Sequence, residues 1–173
     1  MHLFSSTLAG LALAGLAYSA ANADSSLKPS PDPGFNSFLL RFEDSISRFI
    51  NGDPNPWKDH ASKLDDVTVM GAWGDYEKGW QQADPRYNWA AARFRDSGAK
   101  VAVEYISSGV SGDLAYSIAI ERSTVRLVGI DETKPLALRV THLFRKENGE
   151  WKMIHRHADP LMEKTAPKAT LRN

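Results

Sequence analysis

What most constrains this chain is the order of its hydrophobic patterns: one apolar stripe at helical spacing comes early, and from Lys100 onward nearly everything alternates. In "FNSFLLRFEDSISRFINGD", Phe35, Phe38, Leu39, Phe42, Ile46, Phe49 and Ile50 recur every three or four residues and predict one amphipathic helix. Asn51-Gly52 stops it, because glycine takes a left-handed cap without steric penalty. "DPNPWKDHASKLDD" reads as a proline-punctuated turn with one short helix, and "DVTVMGAW" as a strand. "YEKGWQQADPRYNWAAARFRDSG" reads as helical in two pieces, since Pro85 interrupts the run. "KVAVEYISSGV", "DLAYSIAIERSTVRLVG", "LALRVTHLFRK" and "EWKMIHRHAD" then read as four strands joined by turns. Helices first and a meander after predict an α+β fold: a cone-shaped, curled antiparallel sheet packed against N-terminal helices, with one internal pocket.

The chain ends set the expected compartment. Residues 1–23 contain "LAGLALAGLA", an apolar run too short to span a bilayer, followed by the small residues "ANA". They predict a signal peptide cleaved near Ala23/Asp24, and hence a secreted or periplasmic protein with no membrane span once the signal is removed. A flexible leader is expected over 24–34, the folded domain over 35–162 and a flexible tail over 163–173. There is no cysteine, which excludes disulfides, a thiolate nucleophile and cysteine-based metal sites. Lys plus Arg balance Asp plus Glu at 21 each, so no charge excess points to nucleic acid. No dinucleotide, P-loop or G-x-S-x-G fingerprint is present.

The stretch "RVTHLFRKENGEWKMIHRHADP" holds three of the five histidines. Asn148-Gly149 predicts a two-residue hairpin turn, which pairs Lys146 with Trp151, Phe144 with Met153, His142 with His155 and Val140 with His157. That register puts His142, His155 and His157 on one face with Val140, Phe144, Trp151 and Met153, and Arg156 on the other. The trio has three readings: acid-base or ligand-contacting groups, hydrogen-bonded core histidines, or a three-imidazole zinc set.

"VTVMGAWGDYEKGW", "SGDLAYSIAIERS" and above all "LRVTHLFRKENGEWKMIHRHADP" resemble the SnoaL-like family. It belongs to the nuclear transport factor two superfamily, with ketosteroid isomerases, scytalone dehydratase and the kinase association domain. The resemblance runs in order over roughly residues 35 to 162 and implies the cone fold. It leaves function open between isomerases, dehydratases, cyclases and binding or assembly domains. The isomerases' aspartate base and tyrosine-centred oxyanion hole have no residue-by-residue match here. In the kinase association domain the position matching Glu121 carries a pocket arginine, and that matching His142 carries another. The resemblance therefore implies a pocket location for Glu121 and His142.

Glu121 ends a stripe of small residues, Ala115, Ser117 and Ala119, that leaves room beside a carboxylate; the bland alternative is a surface pair with Arg122 or Arg139. Apolar pattern alone sends Tyr116, Ile118 and Ile120 inward, whereas the resemblance puts that face outside as a dimer surface. Trp57, Trp73 and Tyr76 are the candidate pocket aromatics, against a background of ordinary core packing. Two functions follow as expectations. One is an exported small-molecule-binding domain, non-catalytic or of unassigned activity, that forms a homodimer through the outer sheet face. The other is a lyase or isomerase acting on a small apolar carbonyl or polyketide-like compound. Its candidate catalytic residues are His142, His155, His157 and Glu121. Neither requires a cofactor.

Overall fold

The computed structural model describes residues 32–164. The signal peptide expected over 1–23, the leader up to residue 31 and the tail from 165 lie outside the described residues. Helix α1 spans Pro33–Phe49; Asp32 caps it by accepting the Phe35 N–H at 3.0 Å, and Pro33 occupies the first turn, where no N–H is needed. The cap at its far end follows the sequence: Gly52 sits at φ +96° and donates to the Phe49 carbonyl at 3.0 Å. Helix α2, Asn55–His60, is a single short piece.

Helix α3 runs Trp80–Ala91 without a break. This corrects the expectation of two pieces. Pro85 sits in the second turn, so it removes only the bond to the Gln81 carbonyl, while Ala83, Tyr87 and Ala91 pin one face of the helix to the core.

Seven strands lie among the described residues: β1 Thr68–Met70, β2 Glu77–Lys78, β3 Phe94–Arg95, β4 Ala102–Ser111, β5 Leu114–Leu127, β6 Lys134–Glu147 and β7 Glu150–Pro160. Their order is β2-β1-β7-β6-β5-β3, with β4 also paired to β5. Pairing is antiparallel throughout except for β1 beside β7. The sheet curls around α1. Rings of Phe35, Phe38 and Phe42 meet Phe144 of β6 at 5.3 to 5.4 Å, and Phe35 meets Trp151 of β7 at 5.1 Å. Burying each such side chain stabilises the fold by about 1.5–3 kcal/mol.

The β5 faces follow the resemblance rather than the apolar pattern. Ala115, Ser117, Ala119 and Glu121 are buried, while Tyr116 and Ile118 are exposed. The inward residues are small because α1 fills the concave side with phenylalanines, which leaves no room for a second large layer.

The β6–β7 hairpin turns at Asn148-Gly149 with both residues at positive φ, 52° and 85°. Lys146 pairs with Trp151 and Phe144 with Met153, as the turn predicts. The register then shifts: Leu143 pairs with His155 and His142 with Arg156, leaving Ile154 as an extra residue in β7. A one-residue bulge sends every later side chain to the opposite face.

Candidate functional site

That bulge rewrites the histidine cluster. His142 stays inside, 3% exposed, with its ring 5.0 Å from Phe42 and 5.6 Å from Phe144. His155 and His157 face the other side of the sheet. His155 shares its hydrogen with, or accepts one from, Thr68 Oγ1 at 2.8 Å, and His157 Nε2 lies 3.2 Å from Asp159 Oδ2. The expected shared face of His142, His155 and His157 is therefore corrected, and the trio forms no zinc set. Among the described residues no group of three His, Asp or Glu side chains is placed to hold a metal.

The residue that the bulge turns inward is Arg156. It forms a two-pronged pair with Glu121, Nη1 to Oε1 at 2.9 Å and Nη2 to Oε2 at 2.8 Å. Its Nη1 also donates to His142 Nε2 at 2.7 Å. A guanidinium only donates, so His142 Nε2 must be an acceptor and the imidazole proton sits on Nδ1, which donates to Ser117 Oγ at 3.4 Å. Burial, then the positive charges of Arg156 and His155, holds His142 well below its ordinary pKa of 6.5. It is a neutral core histidine that orients the arginine. Two of the guanidinium's five donors, Nε–H and one Nη2 hydrogen, remain outside these bonds.

The pair lies at one wall of a cavity of about 120 Å³. Apolar side chains supply most of the wall: Ile46 and Phe49 from α1, Phe94 from β3, Leu138 from β6 and Ala158 from β7. Trp57 of α2 forms another wall, with the Arg156 guanidinium carbon 5.2 Å from its ring centre. Tyr87 of α3 faces the same space. Burial pushes its phenol well above the usual tyrosine range, against opposing pulls from the Trp57 indole and Arg156. Trp57 Nε1 and Tyr87 Oη are both buried, and beyond the indole's pull on the phenol neither makes a well-formed hydrogen bond. Such orphaned groups are uncommon in proteins and mark places where a ligand or ordered water completes the bonding.

Trp73, 47% exposed, lies where the cavity meets solvent and packs against Phe94 at 5.4 Å and Trp89 at 5.8 Å. Arg86 completes this rim; its Nη2 donates to the Gly74 carbonyl at 2.7 Å and its Nε lies 3.5 Å from Glu77 Oε1. Of the residues singled out from sequence, the structure brings Glu121, Trp57 and Trp73 to the cavity, with His142 directly behind Arg156. Tyr76, 65% exposed, does not line it, and His155 and His157 lie on the far side of the sheet.

Sequence reasoning missed Arg156 and Arg86, and it left Tyr87 among the aromatics assigned to ordinary core packing. A signal existed for Tyr87: Ala83, Tyr87 and Ala91 recur at four-residue spacing on α3. None existed for Arg156, because the bulge residue Ile154 is β-branched and fits a regular strand equally well.

A model of the SnoaL-like domain matches residues 42–163. The chain belongs to the SnoaL-like family. Solved structures agree on the fold. A nuclear transport factor 2-like superfamily protein from Salmonella enterica serovar Typhimurium LT2 aligns at TM-score 0.65 and 18% identity, covering 78% of this chain and 93% of that one. A candidate dehydratase of the nuclear transport factor 2-like family from Streptomyces avermitilis aligns at 0.62 and 16%, covering 75% and 95%. A ketosteroid isomerase-like protein from Erwinia carotovora atroseptica aligns at 0.60 and 15%, also covering 75% and 95%. No curated protein matches this SnoaL-like chain by sequence.

Proposed function

We propose that this SnoaL-like protein is an exported small-molecule-binding protein whose ligand fills the cavity beside Trp57 and contacts Arg156. The observation that carries this reading is the ion pair. Arg156 and Glu121 side chains are only 12% and 5% exposed, yet they line a cavity walled mostly by apolar side chains. Burying two charges is costly and seldom favoured over apolar packing for stability alone. The pair presents unused donors to a pocket that a structural core would fill with methyl groups.

Binding is favoured over histidine acid-base chemistry by the state of the groups that would carry the latter. His142 is neutral, has both ring nitrogens engaged and does not line the cavity. Both Glu121 oxygens are held by the guanidinium. Export follows from the sequence of residues 1–23 and is checked by cell fractionation, with the protein expected outside the cytoplasm. Two copies pairing through the exposed outer sheet face complete the proposal. Tyr116, opposite Leu143, and Ile118, opposite Thr141, form its apolar centre.

The test is native mass spectrometry of protein purified from the organism that encodes it. A small-molecule adduct released on denaturation is the expected result. A ligand-free protein whose melting temperature no extract of its own cells raises would overturn the reading.

A further inference from the structure

The cavity also limits what its occupant can be. The inference rests on the binding reading above and adds the ligand's size and charge. Size comes first. A space of about 120 Å³ is small beside the roughly 300–1,000 Å³ of drug-sized sites, and an apolar cavity of roughly 150 Å³ holds benzene. The enclosed part takes one ring, and anything larger has to extend past Trp73 into solvent.

Charge comes second. The basic side chains lining the cavity are Arg86, Arg122 and Arg156, and each already faces an acid: Glu77 at 3.5 Å, Glu104 at 3.7 Å and Glu121 at 2.8 Å. A ligand carboxylate would enter as a buried anion with no counter-charge of its own and would sit against Glu121. A ligand ammonium would meet the guanidinium. A neutral ligand avoids both penalties.

Polarity comes third. Trp57 Nε1 and Tyr87 Oη are buried, neither makes a well-formed hydrogen bond beyond the indole's pull on the phenol, and both residues line the same cavity as Arg156. The indole offers a donor and the phenol both a donor and an acceptor, beside the donors that Arg156 has left over. This arrangement suits one uncharged oxygen.

We propose that the site takes a neutral one-ring molecule bearing a single hydroxyl or carbonyl oxygen, with the ring between Trp57 and Phe94 and the oxygen toward Trp57 Nε1, Tyr87 Oη and Arg156. The aromatic walls accept the ring, and the oxygen satisfies groups that are otherwise orphaned.

The experiment titrates the purified mature protein with phenol, benzyl alcohol, benzaldehyde, toluene, benzoate and 2-naphthol. Binding is followed by the indole N–H resonance of Trp57 and by the melting temperature. Phenol, benzyl alcohol and benzaldehyde should shift that resonance and bind about tenfold or more tighter than benzoate or 2-naphthol. Tyr87→Phe should weaken phenol about 5- to 10-fold while leaving toluene unchanged. Trp57→Phe serves as the second variant, with the same expected contrast. Equal or tighter binding of benzoate or 2-naphthol overturns the inference. If the whole panel fails while a larger or charged molecule copurifies from cells, this inference falls and the binding reading stands. If the panel fails and nothing copurifies, both fall.

Discussion

Arg156 joins the buried Glu121 to His142, so its removal should be the most damaging single change at the site. Arg156→Ala leaves Glu121 buried and unpaired, and should destabilise the fold by about 3–5 kcal/mol in urea denaturation. The double change Glu121→Leu with Arg156→Met removes both charges at similar volume and should recover most of that loss. His142 predicts a pH effect. Its folded pKa is depressed, so the unfolded chain binds the extra proton below about 6.5, and stability should fall with falling pH. The slope from this one group is about 1.4 kcal/mol per pH unit, beginning at the unfolded value and ending at the lowered folded one. Melts of His142→Gln between pH 7 and 5 should be flatter than those of the unaltered protein by that amount. The interior place of His142 was legible in sequence, since alternation and resemblance agree on it, whereas that of Glu121 came from the resemblance against the apolar pattern of β5. Arg156 was not, because its neighbours His155 and His157 follow the same alternation only if the strand is regular.

At the level of elements, the helix-then-meander order and the Asn148-Gly149 turn were both readable, because caps and turns are local chemistry. The bulge at Ile154 was not. It depends on how β7 bends to meet both β6 and the parallel β1, a tertiary demand with no local residue preference. Pro85 shows the converse error, where a strong local signal is overridden. The buried face of α3 holds the helix through the proline at the loss of one hydrogen bond. Pro85→Ala should restore that bond and raise stability by about 1–3 kcal/mol, less about 0.4–1 kcal/mol for the freer unfolded chain. A thermal melt showing no gain would mean the turn around Pro85 is strained in some other way.

For the whole molecule, the curled sheet uses its two faces differently. The concave face closes on α1 and the cavity, and the convex face leaves Ile106, Leu114, Tyr116, Ile118 and Leu143 exposed. If that face joins two copies, Ile118→Arg should convert a dimer to a monomer by light scattering at roughly tens of micromolar protein, with the melt of the monomer fold little changed. Ligand binding should survive, because the cavity lies on the other side of the sheet. The central claim is that the buried Arg156–Glu121 pair exists to hold a ligand. Isothermal titration of the copurified molecule into unaltered protein and into the Glu121→Leu, Arg156→Met double variant tests it most directly. The account predicts a folded double variant with affinity reduced about 10-fold or more, the loss of one or two hydrogen bonds from a charged donor. A folded double variant that binds as tightly as the unaltered protein would contradict it.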